Sequence, residues 1–143
     1  MDPRSGHRGA AEVYGDLVDR LVAAAGADRR IKAVWLEGKS REELRRPFAT
    51  VELHLAADEP DFEAVRAGLE ALLAGGHPLA DVRWAEVPRF ARELRGLLEG
   101  HPVTVVLEKT SLLAKRPRTA VSSLVDPSGH LYHVMDFSGS RKE

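Results

Sequence analysis

Apolar residues recur at spacings of three and four in the first part of the chain. Between Ala10 and Ala25, the residues Val13, Leu17 and Leu21 fall on one side of a 3.6-residue repeat, which predicts an amphipathic helix of about four turns. Gly26 suits its end, because glycine readily adopts the left-handed conformation that closes many helices. We expect this helix to pack against the core and to have no functional duty.

Two strands are predicted by the patterns that follow. The segment Ile31 to Glu37 is mostly apolar, as expected of a strand buried on both faces. From Thr50 to Leu55 apolar and polar residues alternate, which is typical of a strand with one buried face. The segment between them, Lys39 to Arg46, is rich in arginine and glutamate and predicts a short helix. The alternation places three polar side chains on one face of the second strand: Thr50, Glu52 and His54.

Apolar spacing predicts two further amphipathic helices downstream. The first begins near Asp58, where acidic residues and proline favour a helix start, and it ends at the pair Gly75-Gly76. The second is expected from Pro88 to Leu98, with Gly100 closing it. Its apolar face is formed by Phe90, Leu94, Leu97 and Leu98.

The second half of the chain also contains strand patterns. Asp81 to Val87 is a weak one, whereas Pro102 to Lys109 is rich in β-branched residues and predicts a central strand. Thr119 to Val125 and His130 to Phe137 flank Asp126-Pro127-Ser128-Gly129, whose proline and glycine positions suit a type I turn. We therefore expect a C-terminal β-hairpin.

Together these elements predict an α/β or α+β architecture. We expect a mixed sheet of five or six strands, three main helices packed against it, and the C-terminal hairpin. A length of 143 residues suits one domain. That domain is expected over residues 10–137, with a disordered N-terminus at residues 1–9 and a polar tail at residues 138–143.

Composition and charge exclude several classes of protein. A net charge of −1 and a pI near 6.6 give no indication of nucleic acid or an anionic membrane as partner. The absence of cysteine excludes disulfides and thiolate metal sites. No apolar run approaches a membrane span, and the N-terminal segment lacks the apolar core of a signal peptide. We therefore expect a cytoplasmic protein.

The region around the first two strands resembles the signature of the nucleotidyltransferase superfamily, which shares its fold with DNA polymerase beta and the minimal nucleotidyltransferases. That signature is a Gly-Ser pair followed, after a short helix, by Asp-x-Asp on a strand. In this chain Gly38 matches the glycine and Lys39 the serine, while Thr50 and Glu52 match the two aspartates. With the flanking apolar residues and the C-terminal hairpin, the resemblance covers roughly residues 10–137.

The resemblance implies roles for individual residues. In the family, two aspartates and a third carboxylate on a neighbouring strand hold magnesium ions. The matching catalytic positions here are Thr50, Glu52 and Thr104. Glu52 is the expected metal ligand, and Glu108 is the remaining candidate, although it lies roughly 13 Å beyond Thr104 along its strand. The phosphates of a nucleotide are expected at the helix start, on Gly38, Lys39 and Ser40.

The replaced aspartates imply an impaired enzyme, because a threonine hydroxyl is a neutral and weak ligand for magnesium. We expect a nucleotidyltransferase-like domain that binds a nucleotide or a protein partner without turnover, with a homodimer as one such arrangement. The alternative is an active, magnesium-dependent nucleotidyltransferase that transfers a nucleoside monophosphate to an acceptor. In that case Glu52 would hold one ion, and Glu108 or a residue of a partner would complete the site.

Overall fold

The structure, a computed structural model, describes residues 9–37, 51–75, 77–88, 90–115 and 121–125. It has two α-helices, α1 (Ala10–Ala27) and α2 (Phe62–Ala74), and two short 3-10 turns at Glu59–Asp61 and Thr110–Lys115. The strands are β1 (Ile31–Glu37), β2 (Val51–Ala57), β3 (Leu79–Val87), β4 (Ala91–Leu98), β5 (His101–Lys109) and β6 (Val121–Val125).

The six strands form one mixed sheet in the order β3-β4-β5-β2-β1-β6. Strands β2 and β5 run parallel, and the other neighbouring pairs are antiparallel. This confirms the expected α+β class, with a mixed sheet and helices packed against it. The β-branched run at Pro102 to Lys109 is an interior strand, as expected, because β5 lies between β4 and β2.

Both helices pack on the same face of the sheet. Alternate residues of β2 and β5 are buried against them, because side chains two apart on a strand share a face. Tyr14 of α1 donates a hydrogen bond from its hydroxyl to the Pro102 carbonyl oxygen at 2.6 Å, and burial raises the pKa of Tyr14. Each fully buried leucine contributes roughly 1.5–3 kcal/mol. The core includes Leu17, Leu21, Leu53, Leu55, Leu69, Leu73, Val105 and Leu107.

The prediction of a helix from Pro88 to Leu98 is wrong, because Ala91–Leu98 forms strand β4. Strand β4 pairs with β3 on one side and β5 on the other, so its backbone groups bond within the sheet. The spacing of the leucines suggested a helix because Arg92 and Gly96 share the core-facing side of the strand with Leu94 and Leu98. These two residues interrupt the apolar-polar alternation that would have indicated a strand. The described residues therefore contain two α-helices instead of the three expected.

Two glycines near the end of the expected helix, Gly96 and Gly100, belong instead to sheet features. Glu99 and Gly100 join β4 to β5 with φ values of 50° and 82°, and positive φ at both positions is what a two-residue hairpin turn requires. A Cβ added to Gly96 would lie 3.1 Å from the Ala80 carbonyl oxygen, near a register shift between β3 and β4. Glycine therefore allows this close approach of the two strands.

Other expectations are confirmed or fall outside the described residues. The helix predicted near Asp58 is α2, which follows the 3-10 turn, and the first strand of the expected hairpin is β6, paired with β1. The short helix from Lys39 to Arg46 and the second hairpin strand, His130 to Phe137, lie outside the described residues. Within the described part of the chain, neither helix is long and apolar enough to cross a membrane.

Candidate functional site

The parallel pairing of β2 with β5 brings polar side chains together. Glu52 is directly beside Thr104, and His54 is directly beside Val106. Paired residues project to the same side of a sheet, and that side alternates along each strand. Because the neighbouring positions face α1 and α2, these side chains and that of Glu108 project from the opposite face.

His54 lies between two carboxylates. Its Nδ1 atom is 2.5 Å from Glu108 Oε2, and its Nε2 atom is 2.9 Å from Glu52 Oε2. Carboxylate oxygens therefore engage both imidazole nitrogens, which fixes the orientation of the ring. We call Glu52, His54 and Glu108 the Glu-His-Glu cluster.

The two ends of the Glu-His-Glu cluster differ in exposure. The side chains of His54 and Glu108 are 5% and 7% exposed, whereas that of Glu52 is 51% exposed. Trp35 of β1 is fully buried and stacks on the His54 ring, with ring centroids 5.3 Å apart. The cluster thus extends from a dry interior to solvent.

The Glu-His-Glu cluster does not fit the magnesium site that the resemblance implies. Magnesium needs oxygen ligands that converge on one point, yet Glu52 and Glu108 approach opposite nitrogens of the same ring. In the part of the chain that the structure describes, no group of three or more His, Cys, Asp or Glu residues is arranged to hold a metal ion. The arrangement instead holds both carboxylates against one histidine ring and restrains the Glu52 carboxylate at the sheet surface.

No family model matches the chain, and no curated protein matches it either. The resemblance to nucleotidyltransferases therefore depends on the residues around Gly38 and Glu52, and membership of that superfamily stays a prediction. The chemistry of this face of the sheet follows from its own geometry and charge.

Two of the predicted site residues lie together. Glu52 of β2 and Thr104 of β5 are direct neighbours in the sheet. Glu52 also shares its face with His54, as the two-residue period predicted. Glu108, the remaining metal candidate, lies on β5. The other four predicted site residues lie outside the described residues: Thr50, Gly38, Lys39 and Ser40.

The contact between Glu108 and His54 was missed from the sequence. The estimate of roughly 13 Å runs along β5 from Thr104, whereas the partner of Glu108 lies on β2. Glu108 pairs with Ala56, two residues beyond His54, and such a diagonal neighbour is within reach of a long side chain. The alternation of apolar and polar residues in β2 indicated that Glu52 and His54 share a face. Nothing in the sequence indicated the register of β2 against β5.

Proposed function

We propose that this chain is a nucleotidyltransferase-like domain that binds a nucleotide or a protein partner without transferring a nucleotidyl group. One observation carries the proposal: Glu52 and Glu108, the two acids available for magnesium, are both within hydrogen-bonding distance of His54. A carboxylate whose oxygen is already held at a histidine nitrogen is a poor ligand for magnesium, because it would have to leave that contact to bind the ion.

The arrangement of the inner strands supports a nucleotidyltransferase-like scaffold. Strands β1 and β2 are antiparallel neighbours, so the end of β1 at Glu37 lies beside the start of β2, which carries Glu52. Strand β5 is parallel to β2 and aligns Thr104 with Glu52. This is the arrangement in which a third carboxylate on β5 would meet one on β2, and threonine occupies that position here.

Nucleotide binding within this proposal rests on the resemblance at Gly38, Lys39 and Ser40. Calorimetry with the common nucleoside triphosphates, with and without magnesium, tests it. We expect binding that does not require magnesium and that Lys39→Ala weakens. Lys32→Ala is the matched control, because Lys32 is a partly exposed lysine of β1 whose Nζ is 3.9 Å from Asp58. Absence of any nucleotide binding would favour the protein-interaction form of the proposal.

A pyrophosphate assay tests the loss of transfer activity. We expect no pyrophosphate release from any triphosphate in the presence of magnesium. Release that Glu52→Ala abolishes, and that Glu86→Ala preserves, would overturn the proposal in favour of an active magnesium-dependent enzyme. Glu86 serves as the control because it is a 58% exposed glutamate of β3.

A further inference from the structure

A row of polar side chains crosses the sheet next to the Glu-His-Glu cluster. Arg83 of β3 is directly opposite Arg95 of β4, Arg95 is directly opposite Thr104 of β5, and Thr104 is beside Glu52 of β2. Neighbouring strands are about 4.8 Å apart, so these four residues span about 14 Å. We call them the Arg-Thr-Glu row. All four project from the face opposite the helices.

The Arg-Thr-Glu row is accessible, in contrast to the cluster beside it. The side chains of Arg95 and Glu52 are 67% and 51% exposed, Arg83 is exposed, and Thr104 is half-buried. His54, two residues from Glu52 on the same face, is buried. A ligand could therefore lie along the row without displacing core side chains.

The two arginines place like charges directly opposite each other, which destabilises a sheet. Arg95 is partly relieved, because its Nε atom is 3.0 Å from Glu93 Oε1. Arg83 makes no ion pair within the described residues, and its guanidinium offers five N–H donors. An anion that contacts both guanidinium groups would offset their repulsion and use these donors.

Phosphate is the anion that fits this chemistry best. Guanidinium groups bind phosphate oxygens through two parallel hydrogen bonds, and the neighbouring Thr104 hydroxyl can add another donor. Glu52 at the end of the row would repel an anion, so the phosphate groups are expected at the arginine end, two strands from the Glu52 carboxylate. We propose that Arg83 and Arg95 bind the phosphate groups of a small polyphosphate ligand. If those phosphates belong to a nucleotide, the inference rests on the proposed function.

Calorimetry with tripolyphosphate and with the common nucleoside triphosphates, at low ionic strength and without magnesium, tests the site. We expect both kinds of probe to bind, and Arg83→Ala and Arg95→Ala each to weaken binding by at least about tenfold. Arg29→Ala is the matched control, since Arg29 is an exposed arginine in the turn between α1 and β1, and it should leave binding unchanged. Glu93→Gln should strengthen binding by about two- to fivefold, because it removes the competing ion pair of Arg95.

The possible results separate the site from the proposed function. Triphosphates that bind regardless of both arginines would overturn the site and leave nucleotide binding standing. Arginine-dependent binding in which triphosphates bind no tighter than tripolyphosphate would support the site and count against nucleotide recognition. Equal weakening by Arg29→Ala, or no binding of either probe, would overturn the site. Because Glu93→Gln keeps both arginines, an unchanged affinity in that variant would contradict the inference even if an arginine variant failed to fold.

Discussion

The two faces of β2 and β5 differ in what they bury. Towards the helices, alternate positions such as Leu53, Leu55 and Val105 are apolar and fully buried. On the other face, the ionic residues His54 and Glu108 are buried as well, beside apolar Ala56 and Val106. One sheet therefore excludes water from hydrocarbon alone on one side and from ionic groups on the other.

The energetic rules of these two faces differ. On the apolar face, a substitution lowers the stability of the fold roughly in proportion to the apolar groups it removes, and side chains of similar shape can replace one another. Buried charges are stable only together, since removal of one partner leaves the other desolvated and unpaired. The helix-covered face should therefore respond gradually to substitution, whereas the face with the Glu-His-Glu cluster should respond as a unit.

The largest expected loss of stability comes from breaking the ionic pair of His54 and Glu108. Glu108→Ala should lower the free energy of unfolding by about 3–5 kcal/mol, because His54 then loses its buried partner. The double variant His54→Leu/Glu108→Leu should lose far less, since apolar side chains can fill the same space without unpaired charge. Urea denaturation of both variants measures the difference. A double variant as unstable as the single one would show that the two residues do not act as a pair.

A smaller loss is expected on the helix-covered face. Val105→Ala removes two methyl groups from a fully buried position and should cost about 2–3 kcal/mol through lost burial and the cavity left behind. The adjacent Thr104 projects to the other face and is only half-buried, so Thr104→Ala is the control and should cost less than about 1 kcal/mol. Equal losses in urea denaturation would mean that the two faces are not packed as differently as their burial indicates.

A backbone position in the helix layer is expected to come next. Gly75 ends α2 with φ 57° and ψ −122°, a region that other residues occupy only under strain. A Cβ there would lie 2.9 Å from the guanidinium of Arg20, which donates a hydrogen bond to the Leu73 carbonyl oxygen. Gly75→Ala should therefore cost about 1–2 kcal/mol in thermal unfolding. Gly68→Ala is the control, because nothing lies within 4 Å of its added Cβ and alanine favours a helix, so it should not destabilise.

Local patterns predicted the inner strands and both helices of this fold, but not β4. Apolar periods of 3.6 and 2 within single segments are enough for α1, β2 and β5. In β4 the alternation is interrupted at Arg92 and Gly96, and the strand forms because β3 and β5 accept its backbone on both sides. Pairing with sheet neighbours therefore outweighed the helical spacing of its leucines.

The same limit applies to the candidate site. The proximity of Glu52 to His54 follows from the two-residue period of one strand, and the sequence predicted it. The pairing of Thr104 with Arg95 depends on the two-residue turn between β4 and β5, in a region where the sequence predicted a helix. The contact of His54 with Glu108 depends on the register of β2 against β5, two strands distant in sequence. A shift of one residue in that register would move every β5 side chain to the other face. No local sequence pattern indicates this register.

The smallest expected effect concerns an ion pair that, in contrast to the Glu-His-Glu cluster, lies in solvent. Arg30 donates to both carboxylate oxygens of Asp28, at 2.9 and 2.8 Å, and this lowers the pKa of Asp28 to about 2. Since the folded pKa is below the unfolded value of about 3.9, the pair stabilises the fold above that value. Its contribution is lost as the pH falls through about 2.

Solvent should keep that contribution small. The side chains of Asp28 and Arg30 are 32% and 48% exposed, so we expect a contribution far smaller than that of the buried pair of Glu108 and His54. Unfolding of the wild type and of Asp28→Asn should be compared from about pH 4 down to about pH 2, with a repeat in high salt, which should shrink the difference. A difference approaching the loss expected for Glu108→Ala would show that burial is not what separates the two ionic sites.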